Sequence, residues 1–241
     1  MDARVPDGPH RPRADAYGPP WPPTGFLGQL SEQTRDAAVR LGTPRTFAAG
    51  EIILLEGAPS DSAVLLLAGL YKVVGSLGSG REALVAIRVG GDIVGELGLA
   101  DGQPRIATVK AVVPGAGRRI GERDYHAFLD SHPDAARAVN RAVAGKLRSA
   151  TRRRVEFATF SAVTRMARVL RELSAMHGTR TPEGVLIGVA LAQSELAALI
   201  GVAEPTVQRV LATMRREGVL DTRYRGIVVL DELRLAELAQ P

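Results

Sequence analysis

Apolar residues follow two rhythms along this chain, and the change between them divides it. From Thr46 to about residue 120, short β-branched and aliphatic runs alternate with glycine-containing turns, which predicts strands over 51–56, 64–75, 82–89, 93–97, 107–113 and 118–120. Turn signals separate them at 57–61, 78–80, 90–92, 101–103 and 114–117. Many short strands at even spacing imply a closed or rolled β-structure.

Near Pro133 the rhythm lengthens. Ala, Arg and Val continue without a breaker to Gly145, and the helical pattern then runs on toward Thr159. Val139, Val143, Leu147 and Ala150 stand at steps of four and three, a seam suited to a partner helix or to this chain's own β-domain. At about 1.5 Å per residue such a helix spans roughly 40 Å, enough to be a spine between domains. Shorter helices are expected over 27–41 and 163–176.

Residues 192–225 carry the second half of the pattern. Leu196, Leu199 and Ile200 form one stripe, Gly201 ends it, and Val207, Val210, Leu211 and Met214 repeat at helical spacing beyond a corner. Glu204, Gln208, Arg209, Ala212 and Arg216 share the opposite face, and Pro205 suits a first helical turn. Two helices about a glycine corner describe a helix-turn-helix that enters the DNA major groove, with an ordinary helical hairpin as the plain alternative. Two short runs, 219–220 and 227–230, then read as a hairpin wing that places Arg223 and Arg225 near phosphates.

Composition narrows the function. Residues 1–25 hold seven of the fifteen prolines without periodicity, so a disordered arm is expected there. No apolar run reaches the roughly 20 residues of a membrane helix and the N-terminal stretch lacks the short apolar core of a secretory signal, so a cytoplasmic protein is expected. The absence of cysteine removes disulfides, thiol nucleophiles and cysteine-ligated clusters. His10, His126, His132 and His177 are too dispersed for a metal site, and nothing resembles a nucleophile–base pair, so an enzyme is not expected. The net charge of +5 resides within residues 133–160, and the remainder is balanced. DNA affinity must therefore come from placed contacts and pairing of chains more than from bulk charge.

The phrases FAAGEIILLEGAPSD (47–61), GDIVGEL (91–97) and QPRIATV (103–109), followed by a long helix and a winged helix-turn-helix, resemble the Crp/Fnr superfamily of bacterial transcription regulators. Beyond the arm over 1–25, the resemblance implies an α+β chain: a cyclic-nucleotide-binding-type β-roll over 26–132, a dimerisation helix over 133–160 and a winged helix over 161–241. It implies a homodimer on an imperfect palindrome of double-stranded DNA, with RNA polymerase as a partner. Gly95, Glu96 and Leu97 match the loop whose acid takes a ribose hydroxyl, and Arg105 matches the arginine that neutralises a cyclic phosphate. Ile106 departs from the pattern, since a hydroxyl residue is usual there, and of two adenine-contacting hydroxyl positions only Thr151 is kept, beside Ala150. Cyclic AMP or cyclic GMP therefore stands against another effector or none, and Glu96 and Arg105 also suit an internal ion pair. Arg152 to Arg154 read either as a solvated face or as a second anion site. For DNA, the matching positions are Glu204, Pro205, Thr206, Gln208 and Arg209, with Arg223 and Arg225 on the wing. An effector-independent, DNA-shaping nucleoid protein with a degenerate pocket is the alternative function.

Overall fold

A computed structural model describes residues 20–76, 82–223 and 226–240. Its first half is a β-roll of two four-stranded sheets, made by β1 (Thr43–Phe47), β2 (Ile52–Leu54), β3 (Ser62–Ala68), β4 (Leu70–Ser76), β5 (Glu82–Val89), β6 (Ile93–Val94), β7 (Thr108–Ala111) and β8 (Gly115–Gly121). The orders are β1-β8-β3-β6 and β2-β7-β4-β5, paired antiparallel throughout.

Alternation along the strands sets the layers. In β3, Val64 and Leu66 point between the sheets to meet Phe47, Tyr71, Val94 and Val109. Ala63 and Leu65 point the other way, into a layer built by Phe26, Leu27, Tyr125, Phe128 and Ala138. In β4, Tyr71 faces inward, whereas Leu70 and Val74 join Leu84, Ile87 and Val89 on the outer face and merge with the core of the C-terminal half. Both faces of β3 and β4 are thus largely covered, which explains why these two strands read as a nearly unbroken apolar run.

The expected segment 64–75 is two strands. Gly69 turns the chain at φ +110°, a conformation open to glycine, and passes it from one sheet to the other. The turn expected over 114–117 is instead the start of β8. Its glycines answer close approach, since a Cβ on Gly115 would lie 2.2 Å from the Tyr71 hydroxyl. The helix expected over 27–41 is a 3-10 turn at Leu27–Gln29 followed by α1 (Glu32–Ala38). Leu30 is extended at ψ 151°, and the Ser31 hydroxyl caps the new helix by accepting from the Thr34 N–H at 3.3 Å. Of the expected disordered arm, residues 1–19 lie outside the described residues. Its end is docked, for the Trp21 indole N–H donates to the Leu67 carbonyl at 2.9 Å.

Three helices complete the first half: α2 (Glu96–Asp101), α3 (Glu122–Ser131) and the 27-residue α4 (Pro133–Thr159). The Asp134 carboxylate, in the first turn of α4, accepts from the Ser31 N–H at 3.1 Å and the Thr34 hydroxyl at 2.9 Å. The seam on α4 divides. Val139 is buried against the β-roll, whereas Leu147 is 68% exposed, and Val155 farther along is 56% exposed.

The C-terminal half comprises α5 (Ala162–His177), β9 (Gly178–Thr181), β10 (Gly184–Ile187), α6 (Gln193–Ile200), α7 (Glu204–Arg216), β11 (Leu220–Arg223), β12 (Gly226–Val229) and α8 (Glu232–Leu238). The wing hairpin belongs to a four-stranded sheet, β11-β12-β10-β9. Met166, Leu170, Leu196, Ile200, Val207, Leu211 and Met214 are buried together beneath it. This unit sits on the outer face of β4 and β5, where the Lys72 ammonium donates to the Glu195 carboxylate and the Ala190 carbonyl, each at 2.7 Å.

Candidate functional site

Two places hold the residues that the sequence singles out, and they are built differently. The first is α7. Pro205 lies in its first turn, and Val207, Val210, Leu211 and Met214 are buried. Helical geometry then leaves Glu204, Pro205, Gln208 and Arg209 exposed and Thr206 half-buried. α6 ends at Gly201, at φ +64°, so the two helices meet at the corner that the sequence predicts.

The polar contacts on this face are exchangeable. The Gln208 amide donates to the Gln193 side-chain oxygen at 2.8 Å, and the Arg209 guanidinium donates to the Thr206 hydroxyl at 3.2 Å. Neither contact carries opposing charge, so either can be traded for a base edge or phosphate. Arg215, on the same helix, donates to the Thr222 hydroxyl at 2.9 Å and adds a cation that the sequence reading did not select.

On the wing, Arg223 does not stand free. It is paired with Glu183 at 2.5 Å and Asp221 at 3.5 Å, and all three side chains are about half exposed. Such pairs are worth little in water, so a phosphate competes with them readily. Glu183 lies in the turn between β9 and β10, strands that the sequence reading did not anticipate. Arg225 lies outside the described residues. Between the β-roll and this unit runs an open groove of about 990 Å³, with Lys72, Glu82, Glu195, Gln208, Arg215 and Arg223 among its walls.

The second place is the β-roll pocket. The strand expected over 93–97 stops at Val94, because Gly95 takes the left-handed conformation at φ +85° and α2 begins at Glu96. Glu96 is 1% exposed and Arg105 is 6% exposed. They do not pair with each other, contrary to the internal ion pair anticipated above. The Glu96 carboxylate accepts from the Lys146 ammonium of α4 at 2.6 Å. Arg105 donates to the Gly95 carbonyl at 2.8 Å and to the Ser62 carbonyl, with Asp61 at 3.6 Å. Burial pushes the Arg105 guanidinium down from its ordinary value, while Asp61 supports its charge. Asp61 is in turn held below the usual carboxylate range by the Ser62 hydroxyl and Arg119.

Leu97 is half-buried beside this pair, whereas Ile106 is 69% exposed and Thr151 is exposed on α4. A cyclic nucleotide needs an acceptor free for a ribose hydroxyl and donors free for the phosphate. Here one Glu96 oxygen holds a lysine, two Arg105 N–H groups meet main-chain carbonyls, and the Ile106 side chain has nothing to donate. The acid and the guanidinium keep further acceptor and donor capacity, so they fit such a ligand by sharing or exchanging these contacts.

Two arginines of the run beyond the pocket make contacts within the chain, and Arg154 is exposed. Arg152 reaches Glu156 and Glu172, each at 3.9 Å, and Arg153 donates to the Val85 carbonyl at 2.5 Å. Glu156, which is buried, accepts from Arg168 at 2.8 Å, and the Arg168 guanidinium lies 4.2 Å over the Phe160 ring. Phe157 lies against the corner at Gly201, 3.0 Å from where a Cβ there would be. Among the described residues no cluster of acids and histidines suits a metal ion, and no helix is long and apolar enough to cross a membrane.

Comparison with known proteins matches both places. The cyclic nucleotide-binding domain family matches residues 44–132, and the Crp-like helix-turn-helix domain family matches residues 164–238. The chain is 24% identical over 197 residues to the CRP-like cAMP-activated global transcriptional regulator of Mycobacterium tuberculosis, covering 82% of this chain and 88% of that protein. It is 29% identical over 197 residues to the transcriptional regulator SdrP of Thermus thermophilus, covering 81% of this chain and 93% of that protein. Among solved structures, a CRP-family transcriptional regulator from Thermus thermophilus superposes with a TM-score of 0.68 at 28% identity, over 81% of this chain and 96% of that one.

Proposed function

The chain belongs to the Crp/Fnr type of DNA-binding transcription regulators, and from that premise we propose that it acts as a homodimer, paired through α4, on an imperfect palindrome. The observation that carries this reading is the pair Gln208 and Arg209, both exposed on a helix whose intervening face is fully buried. Arg209 is the principal base reader, because a guanidinium can bond guanine O6 and N7 together. Gln208 reads beside it, Glu204 and Pro205 shape the start of the helix, and Thr206 contacts phosphate together with Arg223 and Arg225.

Pairing is supported by the exposed Leu147 and Val155 on α4, apolar side chains that a second copy of the helix would cover. Two α7 helices would then enter successive major grooves about 34 Å apart. We assign residues 26–132 to the β-roll, 133–160 to the spine and 161–241 to the winged helix. The protein works in the cytoplasm with RNA polymerase as its partner and catalyses no reaction, as its relatives are transcription regulators. Cyclic AMP, which the name of the Mycobacterium tuberculosis relative specifies for that protein, is the effector that kinship suggests.

Selection of bound fragments from random DNA, with sedimentation of the protein alone and on the selected duplex, tests the reading. A shared two-fold motif bound by a dimer is expected. A monomer on DNA, or fragments with no common motif, overturns it.

A further inference from the structure

A second cleft, of about 260 Å³, lies where the spine meets the winged helix, with Arg152, Arg153 and Glu156 of α4 on one side and Arg168, Arg171 and Glu172 of α5 on the other. Residues three and four apart share a helix face, which is why each helix brings its arginines and its acid together here. We propose that this cleft is a binding site for a small anion carrying two or more negative charges, of the diphosphate class.

The charges are unbalanced. Four guanidinium groups and two carboxylates form the walls, so two positive charges are left over. Among the described residues, only Arg168 meets one of these carboxylates at hydrogen-bonding distance: it donates to Glu156 at 2.8 Å, and its Nε donates to the Ala239 carbonyl at 2.7 Å. Arg152 stands 3.9 Å from Glu156 and from Glu172, too far for a hydrogen bond. Arg153 donates to the neutral Val85 carbonyl, and the exposed Arg171 has no described partner. Burial pushes the Arg153 guanidinium down from its ordinary value and the charges of Arg88 and Arg152 press the same way, while Glu172 and Glu156 hold it up. Each guanidinium offers five N–H donors in a planar fork, the geometry that meets two phosphate oxygens at once.

Size and position select the ligand. The cleft is smaller than the roughly 300–1,000 Å³ that holds a drug-sized molecule, so it suits an anionic head group. None of its walls belongs to α6, α7 or the wing, which separates it from the face that reads the duplex. At about 100° per residue, Arg152, Arg153 and Glu156 point more than about 100° around α4 from the exposed Leu147, so pairing through Leu147 leaves the cleft open. A bound anion would bridge α4 and α5 across the extended residue Phe160, where α4 ends.

Calorimetry of the full chain with inorganic pyrophosphate, against sodium chloride of equal ionic strength, tests the proposal. Saturable binding at millimolar concentration or below is expected, with a rise in Tm. ADP and GDP form a second arm: binding tighter than that of pyrophosphate names a nucleotide as the source of the head group, and equal or weaker binding names the free anion. Arg171→Gln removes a side chain with no described partner, so it should keep the fold and lower pyrophosphate affinity by about tenfold or more. Arg153→Gln should do the same. Glu172→Gln takes a repelling charge from the wall and should raise affinity by about threefold. Arg137→Gln, at an exposed position of α4 outside the cleft, should change nothing. No saturable binding, or binding that Arg171→Gln and Glu172→Gln leave unaltered, would overturn the proposal. So would loss of DNA affinity in Arg171→Gln when the unaltered protein takes up no pyrophosphate, since the cleft then serves the duplex. If Arg153→Gln does not fold, the variants at Arg171 and Glu172 decide. Calorimetry needs no DNA, so a protein that selects no duplex loses the reading of its family function while this site is still judged.

Discussion

The β-roll pocket and the exposed face of α7 both carry the charged and polar residues that a regulator of this family uses, yet their states are opposite. In the pocket, Glu96 and Arg105 are buried and every charge is answered by Lys146, Asp61 or a main-chain carbonyl. On α7, Gln208 and Arg209 are exposed and held only by neutral side chains. A residue type at a matching position identifies where a ligand could sit; which contacts it must share or exchange there depends on the partners the rest of the fold has supplied.

The sharpest way to break this contrast is Arg105→Met. If the guanidinium is structural, its loss leaves the buried Ser62 carbonyl and the half-buried Gly95 carbonyl without this donor and should lower stability by about 3–5 kcal/mol in chemical denaturation. An arginine kept for a phosphate would show little change in stability.

His177 probes a buried ring of the C-terminal half. It is 7% exposed, and neither ring nitrogen has a hydrogen-bond partner among the described residues. Burial, aided by the nearby charge of Arg88, pushes its pKa down to about 4. The unfolded chain therefore takes up a proton below about pH 6.5 while the folded protein does not, so stability should fall as pH drops from 6.5 toward 4 and level off beneath it. The loss across that window is on the order of 3 kcal/mol. His177→Leu should remove this part of the slope in denaturation curves taken across the window.

Arg209→Ala comes next. It should cost about 1–3 kcal/mol of discrimination at one base pair while moving stability by no more than about 0.5 kcal/mol. Competition between the selected duplex and single-base variants, alongside thermal melts, measures both. Intact selectivity would move the reading role elsewhere on α7.

The smallest effect is expected at Gly145. It lies inside α4 with open space where a Cβ would go. Gly145→Ala should therefore stabilise the helix by about 0.5–1 kcal/mol. Destabilisation, or loss of the dimer in sedimentation, would place a second helix in close contact at that position.

Much of the layout was legible in the sequence, because periodicity reports burial directly. The stripe of Val207, Val210, Leu211 and Met214 and the corner at Gly201 predict α6 and α7 closely. The break at Gly69 was missed, since a continuous apolar run looks alike whether one strand is covered on both faces or two strands change sheets. Strands β9 and β10 and helix α8 are too short to show a period of their own and depend on packing for their existence. The pocket was half legible. Glu96 and Arg105 could be located by likeness, but Lys146 is one of seven basic residues within 133–160, and nothing local distinguishes it. Only folding across 50 residues brings its ammonium to the carboxylate. Glu183, which holds Arg223, was hidden for the same reason.

One oxygen of Glu195 accepts both the Lys72 ammonium at 2.7 Å and the Ala192 N–H at 2.8 Å. Were the winged helix to lift from β4 and β5, the ammonium would depart with the sheet while the amide travelled with the carboxylate. The opening turn of α6 would stay tied throughout the journey. The reading head can therefore detach as a finished piece, and the toll of detachment falls on the greasy surface left behind and not on any refolding of the head itself.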